Sequence, residues 1–527
     1  MACSRSKITQ FVLFTLVISI VGYLLLGQNF AASFGPTDDH GILGYLGSDR
    51  ILTLQEIPRL IQLSEIGSLG SYPRFRLLYT PFIILETYLW KDSVFLWYFA
   101  KYILFVISFT IFWWIIRKYT GIILGFLIVL FSLTFPFWGD IWSRLGPGEI
   151  YAVFGTALYA MGFTGLWSQR KQTATETLNW FYLLAGTSIA VGTKENFVIL
   201  LLPIMYLMYR RIKQKQFPLL GAIVISLCTI FTFITSYFSA IAVMKNSGDV
   251  YGNSVDLSFR LRQTISHSLF LLQETWMFFG IKLIAAGIVC IGAIIYIFFR
   301  YKKIRIPYIS FLQKLFIGLF LLALLVLSQI FFYSGIWPTG GRYDFPGMMA
   351  IPISIIFIYS STILFLKHIS TNRLYIQLFT LVTTVALGVW ILVFRFPVVR
   401  MSRINMEESR KFMSKIQTII RQTSPSPEIP IIIESQKPLD YEMIFSVPIY
   451  LRYYGVKNPI FLKIEFSNTD NYTGLEKKLA DKLESIALNG NTYYSTFAKY
   501  PDNTSCFSLQ ISDQATVDCR PLVSFGY

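Results

Sequence analysis

The chain has 527 residues, of which 54% are hydrophobic, 17% aromatic and only 14% charged. That balance excludes an ordinary soluble enzyme, in which charged residues make up about a quarter of the chain. The net charge of +17 does not indicate nucleic acid either, because the basic residues fall in short clusters between apolar runs.

A helix needs about 20 apolar residues to cross the hydrocarbon core. Windows of that kind recur near 8–27, 94–116, 120–137, 149–168, 178–192, 196–209, 217–241, 273–299, 312–334, 347–366 and 375–396. They predict an α-helical polytopic membrane protein of about eleven transmembrane helices. The apolar runs are continuous rather than alternating, which fits helices and not barrel strands. The first run is too long, and too lacking in a small-residue cleavage site, to read as a removed signal peptide.

Basic clusters at Arg5/Lys7, Arg117-Lys118, Arg170-Lys171, Arg210-Arg211, Lys302-Lys303 and Lys367/Arg373 share one side if the spans alternate. Lys/Arg excess marks the cytoplasmic face, so the amino terminus is predicted inside and the chain after Phe396 outside. A bacterial cytoplasmic membrane with its active face outward is the favoured location. The endoplasmic reticulum ranks second, on the sequons Asn471-Tyr-Thr and Asn503-Thr-Ser.

Asp38-Asp39-His40 follows the first span almost at once. Charge beside a bilayer, in a chain that uses so little of it, is a functional candidate. The structural alternative is a solvated loop in which Asp39 caps a short helix. Farther along this first outer loop (28–93), Ile51, Leu52, Leu54, Ile57, Leu60, Ile61 and Leu63 have the spacing of an amphipathic helix lying in the interface. Arg74 and Arg76 then stand among aromatics, where they hold the segment at the headgroups or bind phosphate.

Three later segments also reach the outer face. Arg144-Leu-Gly-Pro-Gly-Glu-Ile-Tyr begins a helix with Pro147 near its first turn and Glu149 just behind, an arrangement the helix dipole alone would favour. Lys194-Glu195 sits at a hinge between two short apolar windows and reads either as an internal ion pair or as part of a site. Gly340-Gly341 precede Arg342-Tyr343, and an arginine there either forks onto a phosphate or anchors a span at the interface.

From Pro397 the character changes to a small α/β domain, 397–527. Met401 to Gln422 reads as a charged helix, Ile431-Ile-Ile-Glu and Pro459-Ile-Phe-Leu-Lys-Ile as strands, and Gly474 to Leu488 as an amphipathic helix. The stretch Asp440 to Tyr454 is ambiguous, because Pro448 would interrupt a helix. Cys506 and Cys519 lie close in sequence in this outer region, where a disulfide is permitted, whereas Cys228 and Cys290 read as packing residues within spans.

The sequence holds no Walker loop, dinucleotide-binding glycine fingerprint or zinc spacing, and its three histidines argue against a histidine metal cluster. The acidic pair Asp38-Asp39, Gly-Pro-Gly-Glu at 146–149, Thr-Lys-Glu at 193–195, Arg-Tyr at 342–343 and the outer tail together resemble the GT-C superfamily of polytopic glycosyltransferases. Protein O-mannosyltransferases and the aminoarabinose transferase of lipid A belong to that group. The resemblance covers roughly residues 1–400 as a GT-C-like transmembrane domain, 1–396, and it leaves the tail unmatched.

The resemblance implies a polyprenyl-phosphate sugar donor and transfer to a glycan, lipid or protein hydroxyl on the non-cytoplasmic side. Asp38 or Asp39 would be the base, and Arg342 and Lys194 would hold the donor phosphate. His40, Glu149, Arg144 and Tyr343 would contact acceptor or sugar. A divalent cation, Mg or Mn, on Asp38 and Asp39 is a second reading of the pair. An O-antigen ligase or polymerase is the nearest rival among enzymes. A transporter or flippase should instead place charge at the bilayer midplane and show related halves. A scaffold would leave Asp38-Asp39 and Arg342 without a role.

Overall fold

The computed structural model describes residues 2–36, 38–47, 49–67, 75–168, 174–214, 219–245, 347–369, 373–393, 396–435, 441–464, 506–511 and 519–522, with scattered positions from 258 to 345 that include Arg342. Among them, six helices are long and apolar enough to cross a membrane: Ile8–Ala31, Val94–Thr120, Glu149–Ser168, Leu219–Ser239, Gly347–Lys367 and Arg373–Thr423. The chain is a multi-pass membrane protein.

Two of the predicted windows are divided, for local reasons. The window 120–137 is broken into Ile122–Ser132 and the short helix Phe137–Trp142. Pro136 lacks the N–H a continuous helix would need, and the Trp138 indole donates to Ser132 O at 2.8 Å, closing the bend. The window 196–209 likewise splits into a 3-10 turn, Glu195–Leu200, and the helix Leu201–Lys213. Ala174–Thr193 is helical but carries too many polar side chains to join the six. The windows 273–299 and 312–334 lie almost wholly outside the described residues, and the stretch 474–488 lies entirely outside them.

Glu149–Ser168 and Ala174–Thr193 pack with their backbones almost in contact. A Cβ at Gly155 would come 2.6 Å from Ala190 N, and one at Gly186 would come 2.2 Å from Tyr159 N. Small residues allow that approach where lipid gives no hydrophobic drive between helices. Residues 166–168 and 176 mark the end of this pair remote from Glu149. There Arg211 bonds Glu176 and Leu166 O, while Arg210 bonds Trp167 O.

The long loop after the first span is more broken than its apolar spacing predicts. Of the apolar stretch from Ile51 to Leu63, Ile57–Leu63 is helical, with Pro58 in its first turn and Glu56 taking the Thr53 amide and hydroxyl at 2.7 Å just before it. Two other helices, His40–Leu46 and Tyr79–Trp90, flank it.

After residue 396 the helix Pro397–Thr423 leads into β1 (Ile431–Ser435), the helix Tyr441–Tyr453, β2 (Ile460–Ile464), β3 (Phe507–Gln510) and β4 (Arg520–Pro521). The sheet is parallel, in the order β2-β1-β3-β4. Tyr441–Tyr453 runs straight through Pro448. An interior proline costs about 3 kcal/mol, and full burial of Ile444, Val447, Tyr450 and Leu451 offsets it. Cys506 and Cys519 are bonded, with Cα atoms 4.9 Å apart.

One apolar core joins the tail to the first loop. It runs from Phe34, Ile42, Leu43 and Leu46, past Trp97 and Tyr98 at the head of the second span, to Phe412, Ile416, Ile433, Tyr450 and Leu509. The boundary at 396/397 therefore divides a continuous core, and the tail sits at the same end of the helices as Asp38.

Candidate active site

Asp38 and Asp39 are adjacent but occupy different environments. Asp38 adopts φ +63°, a left-handed conformation that costs an ordinary L-residue about 1–2 kcal/mol. This turns its carboxylate toward Arg342, whose Nη1 is 3.5 Å from Oδ2. The Asp38 side chain keeps 31% of its surface exposed. Asp39 is only 4% exposed, and its Oδ2 accepts the Gly35 amide at 2.6 Å. It stands at the start of His40–Leu46 yet makes no side-chain bond to that helix, so the capping alternative does not apply.

Protonation separates the pair further. Burial pushes the Asp39 carboxyl up to about 8; the Asp38 charge adds to this, and the Gly35 amide and Arg144 oppose it. At Asp38, burial also acts upward, but Arg342, with His40, Arg144 and Arg76, holds the carboxyl below the usual range. At neutral pH, then, Asp38 is the carboxylate and Asp39 the acid. Among the described residues, no three His, Cys, Asp or Glu side chains gather in a way that could hold a metal.

The turn at 146–148 closes on Asp38. A Cβ at residue 146 would lie 2.0 Å from Asp38 Cβ, so only glycine fits there. The Tyr79 hydroxyl holds this turn by donating to Gly146 O at 2.5 Å, and the Arg76 guanidinium lies over the Tyr79 ring, 5.2 Å from its centroid. One helical turn on, Glu149 forms an ion pair with Lys194 at 2.7 Å, both side chains deeply buried. Arg342 and Arg76 are close enough to act electrostatically on both Asp38 and Glu149.

The structure thus gathers Asp38, Arg342, Glu149, Lys194 and Arg144 at one end of the helices, with His40 beside them. Lys194 enters the site paired with Glu149. Tyr343 and Arg74 lie outside the described residues. His40 faces the tail through Nδ1, 2.7 Å from Ser446 Oγ.

Several residues of this region are absent from the sequence reading. Lys101, within the second span, bonds both Glu86 and the Tyr151 hydroxyl, and Tyr151 donates to Glu86 at 2.6 Å. The Tyr151 ring in turn packs against Tyr79, 6.5 Å between centroids. A lysine inside an apolar span was the available signal, since intramembrane charge is rarely idle. Tyr79, Ser446 and Tyr450 offered none.

No protein-family model matches the chain, and no curated protein matches it. Among solved structures it is similar to ArnT from Cupriavidus metallidurans bound to undecaprenyl phosphate, at 13% identity and TM-score 0.43, over 92% of each chain. It is also similar to ArnT from the same organism in the apo state, at 14% identity and TM-score 0.38, over 93% of this chain and 92% of that one. A likeness of this degree does not fix an activity.

Proposed function

We propose that this chain is a membrane glycosyltransferase that moves a sugar from a polyprenyl-phosphate donor to an acceptor hydroxyl on the non-cytoplasmic face. The observation that carries the reading is the Asp38–Arg342 pair: an ionised, partly exposed carboxylate held at 3.5 Å from a guanidinium. Glycosyl transfer needs both groups in one place. The acceptor O–H gives its proton to the Asp38 carboxylate as its oxygen bonds the anomeric carbon. The bond from that carbon to the phosphate oxygen breaks, and its electron pair leaves with the lipid phosphate. Arg342 and Arg76 are the cations best placed to stabilise that charge. Lys194, already compensated by Glu149, adds less net charge but fixes the position of Glu149 beside Arg342.

The same pair disfavours the rival classes. A transporter needs its charges where alternating access can expose them to both sides, whereas this cluster and the tail share one end of the helices. An O-antigen ligase or polymerase would use the same donor chemistry, so the class of acceptor separates it from this reading.

Transfer from a polyprenyl-phosphate sugar by the full chain in proteoliposomes tests the proposal. Asp38→Asn keeps the shape and removes the base, and it should cost ~10²–10⁴-fold in turnover. Arg342→Ala should weaken binding of undecaprenyl phosphate, the lipid held in one of the similar structures. Full turnover in Asp38→Asn would overturn the reading. Labelling of introduced cysteines in intact cells tests the face: one in the tail should react and one near Lys302 should be protected.

A further inference from the structure

The tail supplies two hydroxyls to the turn that carries Asp38, and no motif in the sequence accounts for them. The Tyr450 hydroxyl, fully buried, donates to Gly35 O at 2.6 Å. Ser446 Oγ, one helical turn earlier, bonds Pro36 O and also meets His40 Nδ1 at 2.7 Å. Asp39 closes the other side by accepting the Gly35 amide. Gly35, Pro36 and His40 are therefore pinned around Asp38, the one residue of this turn with φ +63° among those described. A non-glycine residue keeps such a conformation only where its surroundings over-determine it.

The bond directions add a second consequence. A carbonyl oxygen can only accept, so the single proton of Ser446 goes to Pro36 O. Toward His40 the serine oxygen must then accept, which makes Nδ1 the protonated ring nitrogen. A neutral His40 therefore carries its lone pair on Nε2.

We infer that Ser446 and Tyr450 are positioning residues: the helix Tyr441–Tyr453 holds Asp38 in its strained, Arg342-facing conformation and sets the tautomer of His40. Its meaning for catalysis rests on the proposed role of Asp38; the structural claim does not. Other contacts at this seam serve the same docking. Arg410 donates to Ala31 O at 2.7 Å, the Ser33 amide donates to Ser409 Oγ at 3.1 Å, and Tyr453 donates to Asp92 at 2.9 Å. The outer tail is thus part of the site's scaffold rather than a separate module.

Two measurements on the whole 527-residue chain test this without any substrate. The chain has three histidines, so ¹⁵N-histidine labelling with magic-angle-spinning NMR in proteoliposomes is tractable, His40 being assigned by its loss in His40→Gln. At pH about 8, where an ordinary imidazole is neutral, His40 should be protonated at Nδ1. Ser446→Ala should shift it toward the Nε2–H form, and Ser446→Thr, which keeps the hydroxyl, should restore it. An Nε2–H ring in the wild type, or no change in Ser446→Ala, overturns the inference.

Hydrogen–deuterium exchange supplies the second measurement. Tyr450→Phe, close to isosteric, should speed exchange of the peptide containing Gly35 and His40 by roughly tenfold, leaving the span Val94–Thr120 unchanged. Unchanged exchange there, or a uniform rise over the whole protein, would count against a local clamp. A wild type that shows both signatures but no glycosyl transfer would sink the proposed function alone. Transfer without the signatures would sink only this inference.

Discussion

Gly146 and Asp38 touch backbone to side chain: a Cβ placed on residue 146 would fall 2.0 Å from Asp38 Cβ and 2.6 Å from Oδ2. The Gly-Pro-Gly turn is thus one wall of the Asp38 environment. Gly146→Ala should destabilise the protein by about 1–3 kcal/mol through overpacking, and it should displace the carboxylate from Arg342. In Asp38→Gly, which removes the opposing Cβ, the same Gly146→Ala change should be nearly neutral. Thermal unfolding of the four proteins of this cycle checks it. Additive losses would mean that the two residues do not press on one another.

Asp38→Gly also tests whether the site stores strain. Glycine adopts φ +63° without the Cβ clash, so the variant should gain roughly 0.5–1 kcal/mol while losing turnover. A loss of stability would show that the Arg342 pairing outweighs the backbone cost.

The pH dependence distinguishes the two aspartates. With Asp38 as base, turnover should hold as pH falls until below the usual carboxylate range, because Arg342 and its neighbours keep that carboxyl ionised. With Asp39 as base, the acid limb would instead sit near its pKa of about 8. Asp39→Asn should therefore retain most activity, its amide oxygen still accepting the Gly35 amide.

Asp39 also bears on stability. Its folded pKa lies above the unfolded value of about 3.9, so between those two pH values the folded state binds the extra proton. Stability accordingly falls as pH rises from about 4 to about 8 and is flat beyond. Denaturation midpoints across that range should slope downward in the wild type and flatten in Asp39→Asn.

Glu149 and Lys194 are buried together at 2.7 Å. Removing one partner strands a charge, so Glu149→Gln or Lys194→Met alone should each cost about 3–5 kcal/mol. The double variant should recover much of that loss, measured as monodisperse folded yield and thermal midpoint. Equal losses in single and double variants would mean that neither side chain relies on the other.

The sequence by itself determined the membrane class, the position of the first helix, a charged tail helix read at 401–422 and the charged motifs at 38–39, 146–149, 194 and 342. It could do so because apolar runs as long as the bilayer is thick have few other uses, and because charge beside lipid is conspicuous. It also supplied the two cysteines, whose bond the tail geometry closes. Tertiary structure alone decided how these motifs divide the work. Asp38 and Asp39 are identical in composition and adjacent in sequence, and only burial and the direction of each side chain separate a carboxylate from a protonated acid. Arg342 and Arg144, which help to do this, lie far away in the chain, and the hydroxyls that brace this turn, Ser446 and Tyr450, carry no pattern that periodicity can detect. Two of the predicted windows are divided for the same reason. Hydropathy records how apolar a window is, whereas Pro136, or a 3-10 turn packed against neighbouring helices, decides whether that window remains one helix.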